Sequence, residues 1–240
     1  MPPVVDQAVV LRHWEYSETS QTVSLLSRAH GLVRGLAKGA RREKGRFSGG
    51  FEVLTRGEVI FIARENTDLA LLTEWDLQEV FWSTRRDLLA HRIGFYMVDL
   101  VHHAVTGHDP HPGLFDELVE GLRALEDPEG RNGALLRFQW GLLVETGYQP
   151  HLGGEPGTAR TLGFNPLSGQ VVADPGATHA GPVWRVRGET VRLLQAIRDG
   201  ATEVVHGPGT VDRANRLLAA YLRALLDRDL PTRTALFGKR

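Results

Sequence analysis

Cysteine is absent from the 240 residues of this chain. Disulfides, thiolate metal sites and cysteine-nucleophile chemistry are thereby excluded. Long apolar runs are missing too: none approaches the roughly 20 residues of a membrane-spanning helix, and no membrane partner is expected. The opening Met1-Pro2-Pro3 lacks the basic-then-apolar order of a secretory signal, so we read a cytoplasmic protein. Neither sign of charge dominates. A formal net charge of −1 announces no polyanionic partner by its sum. Catalytic signatures are also wanting: there is no Walker loop, no HExxH pair and no Gly-x-Ser-x-Gly elbow. We expect no catalytic residues, no cofactor and no enzyme.

What is there begins with strands. Ala8-Val9-Val10-Leu11, Thr22 to Leu26, Leu32 to Lys38, Phe51 to Ala63 and Leu69 to Trp75 are apolar or β-branched runs punctuated by glycine. Short strands with glycine between them suggest a small barrel or sandwich. Five in this length suit an OB-like barrel, and spacing alone does not separate it from an SH3-like one. Near residue 82 the period changes. Thr84 with Asp87 resembles a capping box. Leu89, Ile93, Tyr96, Met97, Leu100 and Val101 then recur at helical spacing. Further helices are expected at Leu114 to Leu125, from an Asn132 cap to Gly147, at Glu189 to Ile197 and at Val211 to Leu226. Gly153 to Pro182 has almost no periodicity and reads as a loop-built lobe or a mobile insert. The fold class is therefore α+β: a barrel domain over residues 1–81, then a mainly helical domain over 82–240 with an irregular Gly/Pro-rich lobe at about 150–185.

Charge is unevenly placed. Arg34, Lys38, Arg41, Arg42, Lys44 and Arg46 stand within thirteen residues, against Glu43 alone. Such cations can neutralise backbone phosphates and release condensed counterions, and guanidinium suits bidentate phosphate contact. The interleaved Gly35, Gly39 and Gly45 would let the backbone approach a ligand closely. Phe47 and Phe51 could stack on bases, although aromatics are more often core. A run of surface charge is equally what a solvated loop looks like.

At these residues the chain resembles the RecO family of bacterial recombination mediators. Val9-Val10-Leu11-Arg12 is similar to its first strand, and Tyr16-Ser17-Glu18-Thr19-Ser20 to the turn that follows. His30-Gly31-Leu32 with Gly35 to Arg42 is similar to its most recognisable block, continued by Lys44, Arg46 and Phe47. Gly147-Tyr148-Gln149-Pro150 with Leu152 looks like the entry to its central lobe. Arg216-Leu217, Tyr221-Leu222 and Leu230-Pro231-Thr232-Arg233-Thr234 look like its closing helix and tail.

The resemblance implies an N-terminal OB-fold and a helical C-terminal domain. It implies binding of single- and double-stranded DNA, strand annealing, and partnership with RecR and the acidic tail of single-strand binding protein. It also implies assistance to RecA loading, and a location with the nucleoid. Arg213, Arg216 and Arg223 on the last long helix allow part of one face to be basic and are candidates for meeting that tail; ordinary surface arginine is the alternative.

Many members of that family hold zinc with two Cys-x-x-Cys pairs. Here the pairs would fall near Glu155 and Thr158 and near Asp174 and Ala177. No structural zinc is expected, and a substitute set of Glu155, Asp174 and His179 would be a weaker site. His102, His103, His108, Asp109 and His111 also lie close in sequence. Adjacent histidines on a helix point to different sides, so a polar helix end and loop is the plainer reading. Two rivals to a DNA-binding mediator remain: a protein-interaction scaffold with an OB-like barrel, and an enzyme built on the histidines.

Overall fold

The computed structural model describes residues 2–42, 45–63, 67, 69–107, 109–153, 158–176, 181–200 and 206–238. The chain divides into two compact units, Met1–Pro128 and Glu129–Arg240.

Five strands form the first unit's barrel: β1 (Val4–Glu15), β2 (Gln21–Ser27), β3 (Gly31–Ala37), β4 (Thr55–Ile62) and β5 (Ala70–Val80). Their order is β1-β2-β3-β5-β4, closed by antiparallel pairing of β1 with β4 and parallel pairing of β3 with β5. This is the five-stranded OB topology expected from the sequence. Alternation drives it. In β4, buried Thr55, Gly57, Val59 and Phe61 alternate with half-buried Arg56, Glu58, Ile60 and Ile62. Ala8, Val10, Val23, Leu25, Val33, Val59, Phe61, Leu72 and Trp75 fill the interior.

The longer run expected from Phe51 begins as strand only at Thr55. Leu54 has φ of 62°, outside the strand region, and Phe51 enters the barrel core from a loop. In β1 the register shifts between Val10 and Arg12. Val10 opposes Leu25 and Arg12 opposes Ser24, so Leu11 is the extra residue of a β-bulge. Strict alternation would send Arg12 and Trp14 to the same side as Val10; the bulge turns them outward.

Among the described residues this unit also holds the helices α1 (Ser83–Arg86), α2 (Leu88–Ala104) and α3 (Pro112–Ala124). The expected capping box at Thr84 and Asp87 resolves differently. Thr84 Oγ1 donates to the Phe81 carbonyl, and Asp87 instead caps α2, accepting from the Ala90 N–H at 2.9 Å. Helix α2 packs on β1 and β2.

In the second unit, α4 (Arg131–Glu145), α5 (Gly188–Arg198), α6 (Pro208–Leu226) and α7 (Pro231–Phe237) are helical. Gly130, not Asn132, sits at the N-cap of α4, while Gly147 ends that helix with φ of 78°. Gln139 Nε2 donates to Asn215 Oδ1 at 2.8 Å, and Asn215 Nδ2 to the Asn132 carbonyl at 2.9 Å, tying α4 to α6.

The Gly/Pro-rich lobe carries a small sheet that its sequence does not signal. Here β6 (Thr161–Asn165) lies between β7 (Gln170–Val172) and β8 (Trp184–Arg187). Phe164 is fully buried, stacked on Trp184 at 5.8 Å and edge-on to Tyr221 at 5.2 Å. Among the described residues no helix is long and apolar enough to cross a membrane.

Candidate nucleic-acid interface

The loop from Lys38 to Leu54 is amphipathic in three dimensions. Its aromatic residues go in: Phe47 packs on Phe51 at 5.8 Å, and Phe51 on Trp75 at 5.0 Å. Core packing, not base stacking, is therefore where Phe47 and Phe51 stand. Backbone bonds pin the same segment. Trp75 N–H donates to the Arg46 carbonyl at 2.8 Å, Arg41 N–H to the Thr19 carbonyl at 3.1 Å, and Gly39 N–H to Ser20 Oγ at 3.2 Å. The buried Gln21 side chain brackets Phe51, accepting from its N–H at 3.0 Å.

With the aromatics inside, the cations are left outside. Arg34, Lys38, Arg41, Arg42 and Arg46 are all exposed. Lys44 lies outside the described residues. Arg41 alone of the described set forms an ion pair, with Glu15 Oε1 at 2.7 Å; an exposed pair of this kind contributes little to stability. The arrangement is a cationic rim on an aromatic plug, and it can meet phosphates without uncovering the core.

Glycine has a different role here from the one its sequence suggests. A Cβ at Gly35 would lie 2.5 Å from Leu72 Cδ2, so Gly35 serves barrel closure. Gly39, with φ of 72°, makes the turn that leads into the rim.

Sequence reasoning missed the neighbours of this rim on the barrel's outer face. Cross-strand register puts Arg12, Ser24 and Arg34 in one row and Trp14, Thr22 and Leu36 in the next. Trp14 is 46% exposed and Tyr16 65%. Arg12 is bound to the buried Asp99 of α2. His102 Nδ1 lies 3.0 Å from Ser24 Oγ. Burial first, then the Arg12, His103 and Arg34 charges, pushes the His102 imidazole down to about 4, so it is neutral at pH 7.

The described histidines of the cluster stand apart in their contacts. His103 faces Asp99 at 3.6 Å, His111 stands at the N-cap of α3, and His108 lies outside the described residues. Among the described residues no three His, Asp or Glu side chains gather to hold a metal. In the lobe, Asp174 is engaged by Arg185 at 2.9 and 3.0 Å, and Thr158 is exposed; Glu155, Ala177 and His179 lie outside the described residues.

On α6, each of the three candidate arginines has an acidic neighbour. Arg213 binds Glu189. Arg216 binds Asp212 at 2.9 Å and covers the Phe237 ring at 5.5 Å. Arg223 is 3.8 Å from Asp229, whose carboxyl is held below its ordinary range chiefly by Arg233, then by Arg223. Beside Arg223 opens a groove of about 300 Å³ lined by Trp184, Ala220, Ala224, Asp227, Arg228 and Asp229.

Comparison with known proteins agrees with this architecture. The family model described as Recombination protein O N terminal matches residues 1–81, and that described as Recombination protein O C terminal matches residues 85–234. The chain is 30% identical to the DNA repair protein RecO of Myxococcus xanthus over 231 residues, covering 94% of this chain and 93% of that one. It is 32% identical to the RecO of Geobacter sulfurreducens, covering 96% of each. It is also 30% identical to that of an Anaeromyxobacter species, covering 94% and 92%. With both halves matched in order and the five-stranded barrel in place, the chain belongs to the RecO family of DNA repair proteins.

Proposed function

We propose that this protein is a non-catalytic recombination mediator. It binds single- and double-stranded DNA, promotes annealing, and helps load RecA onto strands coated by single-strand binding protein. The observation that carries this reading is the rim: Lys38, Arg41, Arg42 and Arg46 are held out in water by a loop whose aromatics are buried beneath them, and Arg34 is exposed on the adjoining β3. Cations placed this way displace counterions from a phosphate backbone and read no sequence, which is what annealing of arbitrary strands requires.

Residues 1–81 supply the DNA-binding part in this reading, and residues 82–240 the surfaces for protein partners, RecR among them. The groove beside Arg223 suits an acidic tail with an apolar end. Trp184, Ala220 and Ala224 offer the apolar floor, and Arg223 and Arg228 the charge. An incoming carboxylate takes Arg223 from Asp229, a weak competitor at 3.8 Å. Arg213 and Arg216, each closely matched by a carboxylate, then have mainly a structural part. The protein works in the cytoplasm, with the nucleoid, and needs no cofactor.

The test is fluorescence anisotropy of a labelled oligonucleotide titrated with salt, with and without a peptide of the single-strand binding protein tail. Salt-sensitive strand binding together with saturable peptide binding supports the mediator. Partner binding with no affinity for oligonucleotides supports the scaffold instead.

A further inference from the structure

We infer that the part of the outer face of β1, β2 and β3 left open beside α2, around Trp14, Thr22 and Leu36, is a platform for unpaired nucleobases, with Trp14 and Tyr16 stacking on bases and Arg34 and Lys38 meeting the phosphates. This rests on the DNA-binding reading above and adds to it a choice of strand state.

The bulge at Leu11 creates the platform. It rotates the end of β1 so that Trp14 leaves the barrel interior and joins the outward row with Thr22 and Leu36. On this face Arg34 lies one row away, opposite Ser24. Lys38 follows Leu36 by two positions, just past the strand end, and is exposed. Tyr16 follows Trp14 by two positions, just past the end of β1, with its N–H donating to the Ser20 carbonyl at 3.0 Å and its side chain exposed.

Trp14 and Tyr16, two positions apart in the chain, are both exposed aromatics on a small barrel, and large exposed apolar surface is the kind that marks a binding site. The Trp14 ring approaches the neutral His102 ring at 6.1 Å, which steadies one side without adding charge. The Arg12 charge on this face is already matched by Asp99. Arg34 and Lys38 form no ion pair among the described residues. Phosphates of a strand crossing the face therefore meet Arg34 and Lys38, while bases turn toward Trp14 and Tyr16. A duplex keeps its bases stacked on each other and gains nothing from the aromatics. It engages the cationic rim alone.

The experiment compares a labelled oligothymidylate with a duplex of equal length, across a salt series, for wild type, Trp14→Ala, Tyr16→Ala, Trp14→Phe and Arg34→Ala. Loss of one stacked base costs about tenfold in affinity. Trp14→Ala should weaken single-strand binding about tenfold, leave duplex binding unchanged and leave the salt slope unchanged. Trp14→Phe should recover most of the loss, and Tyr16→Ala, on an exposed turn, should show the same selectivity more weakly. Arg34→Ala should lower the salt slope by about one. Equal loss on both substrates, or wild-type single-strand binding by both alanine variants, overturns the platform and leaves the rim standing. A wild-type protein that binds neither substrate overturns the DNA-binding reading itself.

Discussion

Ser24 Oγ and His102 Nδ1 meet at 3.0 Å, joining the outward row of β2 to the last turn of α2. Burial, with Arg12, His103 and Arg34 nearby, holds the folded imidazole at about 4, below its ordinary 6.5, and the Asp99 carboxylate only partly opposes this. The unfolded chain therefore binds more protons between these values. The stability contribution is complete above pH 6.5 and is lost as pH falls toward 4. From pH 7 to pH 5 this amounts to about 2 kcal/mol. Urea denaturation at the two pH values should show that loss in wild type and a clearly smaller one in His102→Gln.

The pairing of Arg41 with Glu15 at 2.7 Å makes opposite substitutions informative. Glu15→Gln frees a guanidinium and removes a repelling carboxylate, and should tighten DNA binding by roughly two- to fivefold at low salt. Arg42→Ala removes an exposed cation that pairs with no described acid, and should lower the salt slope by about one. Anisotropy titrations read both. A weaker Glu15→Gln complex would place the DNA elsewhere.

Barrel closure depends on two glycines to different degrees. A Cβ at Gly57 would lie 2.2 Å from the Asp76 carbonyl oxygen, whereas at Gly35 it meets the Leu72 side chain at 2.5 Å. Backbone cannot step aside and a leucine can rotate. Gly57→Ala should destabilise by about 3 kcal/mol or more, and Gly35→Ala by about 1–2 kcal/mol. Thermal unfolding followed by circular dichroism measures the order.

Apolar packing holds the lobe in the absence of any cysteine. Phe164→Ala should destabilise the second unit by about 3–5 kcal/mol, lowering its melting transition, because the ring is fully buried between Trp184 and Tyr221. Exhaustive chelation should leave that transition where it is, and elemental analysis of the purified protein should find no stoichiometric zinc.

Particular residues show where sequence sufficed. The alternation of β4 and the helical stripe of α2 are local periodicities, and they read out directly. The cations of the rim were legible because charge clusters in sequence. Trp14 was not: the bulge at Leu11 breaks the phase by one residue, and only cross-strand register reveals it. The sheet around Phe164 leaves no sequence signal because β7 spans three residues and β8 pairs with β6 across a long intervening segment. Asp87 looked like the third residue of a cap and proved to be the cap of the next helix, since α1 is a single turn too short to show a period.

The exposed cationic rim is the feature on which DNA binding depends in this protein's proposed role. The most direct test is the affinity of a labelled single strand against salt concentration, for wild type and for Lys38→Glu combined with Arg42→Glu. A linear fall of log affinity with log salt, shallower and weaker in the double variant, is the predicted result. Equal binding by both proteins, or no binding by wild type in dilute buffer, would contradict it.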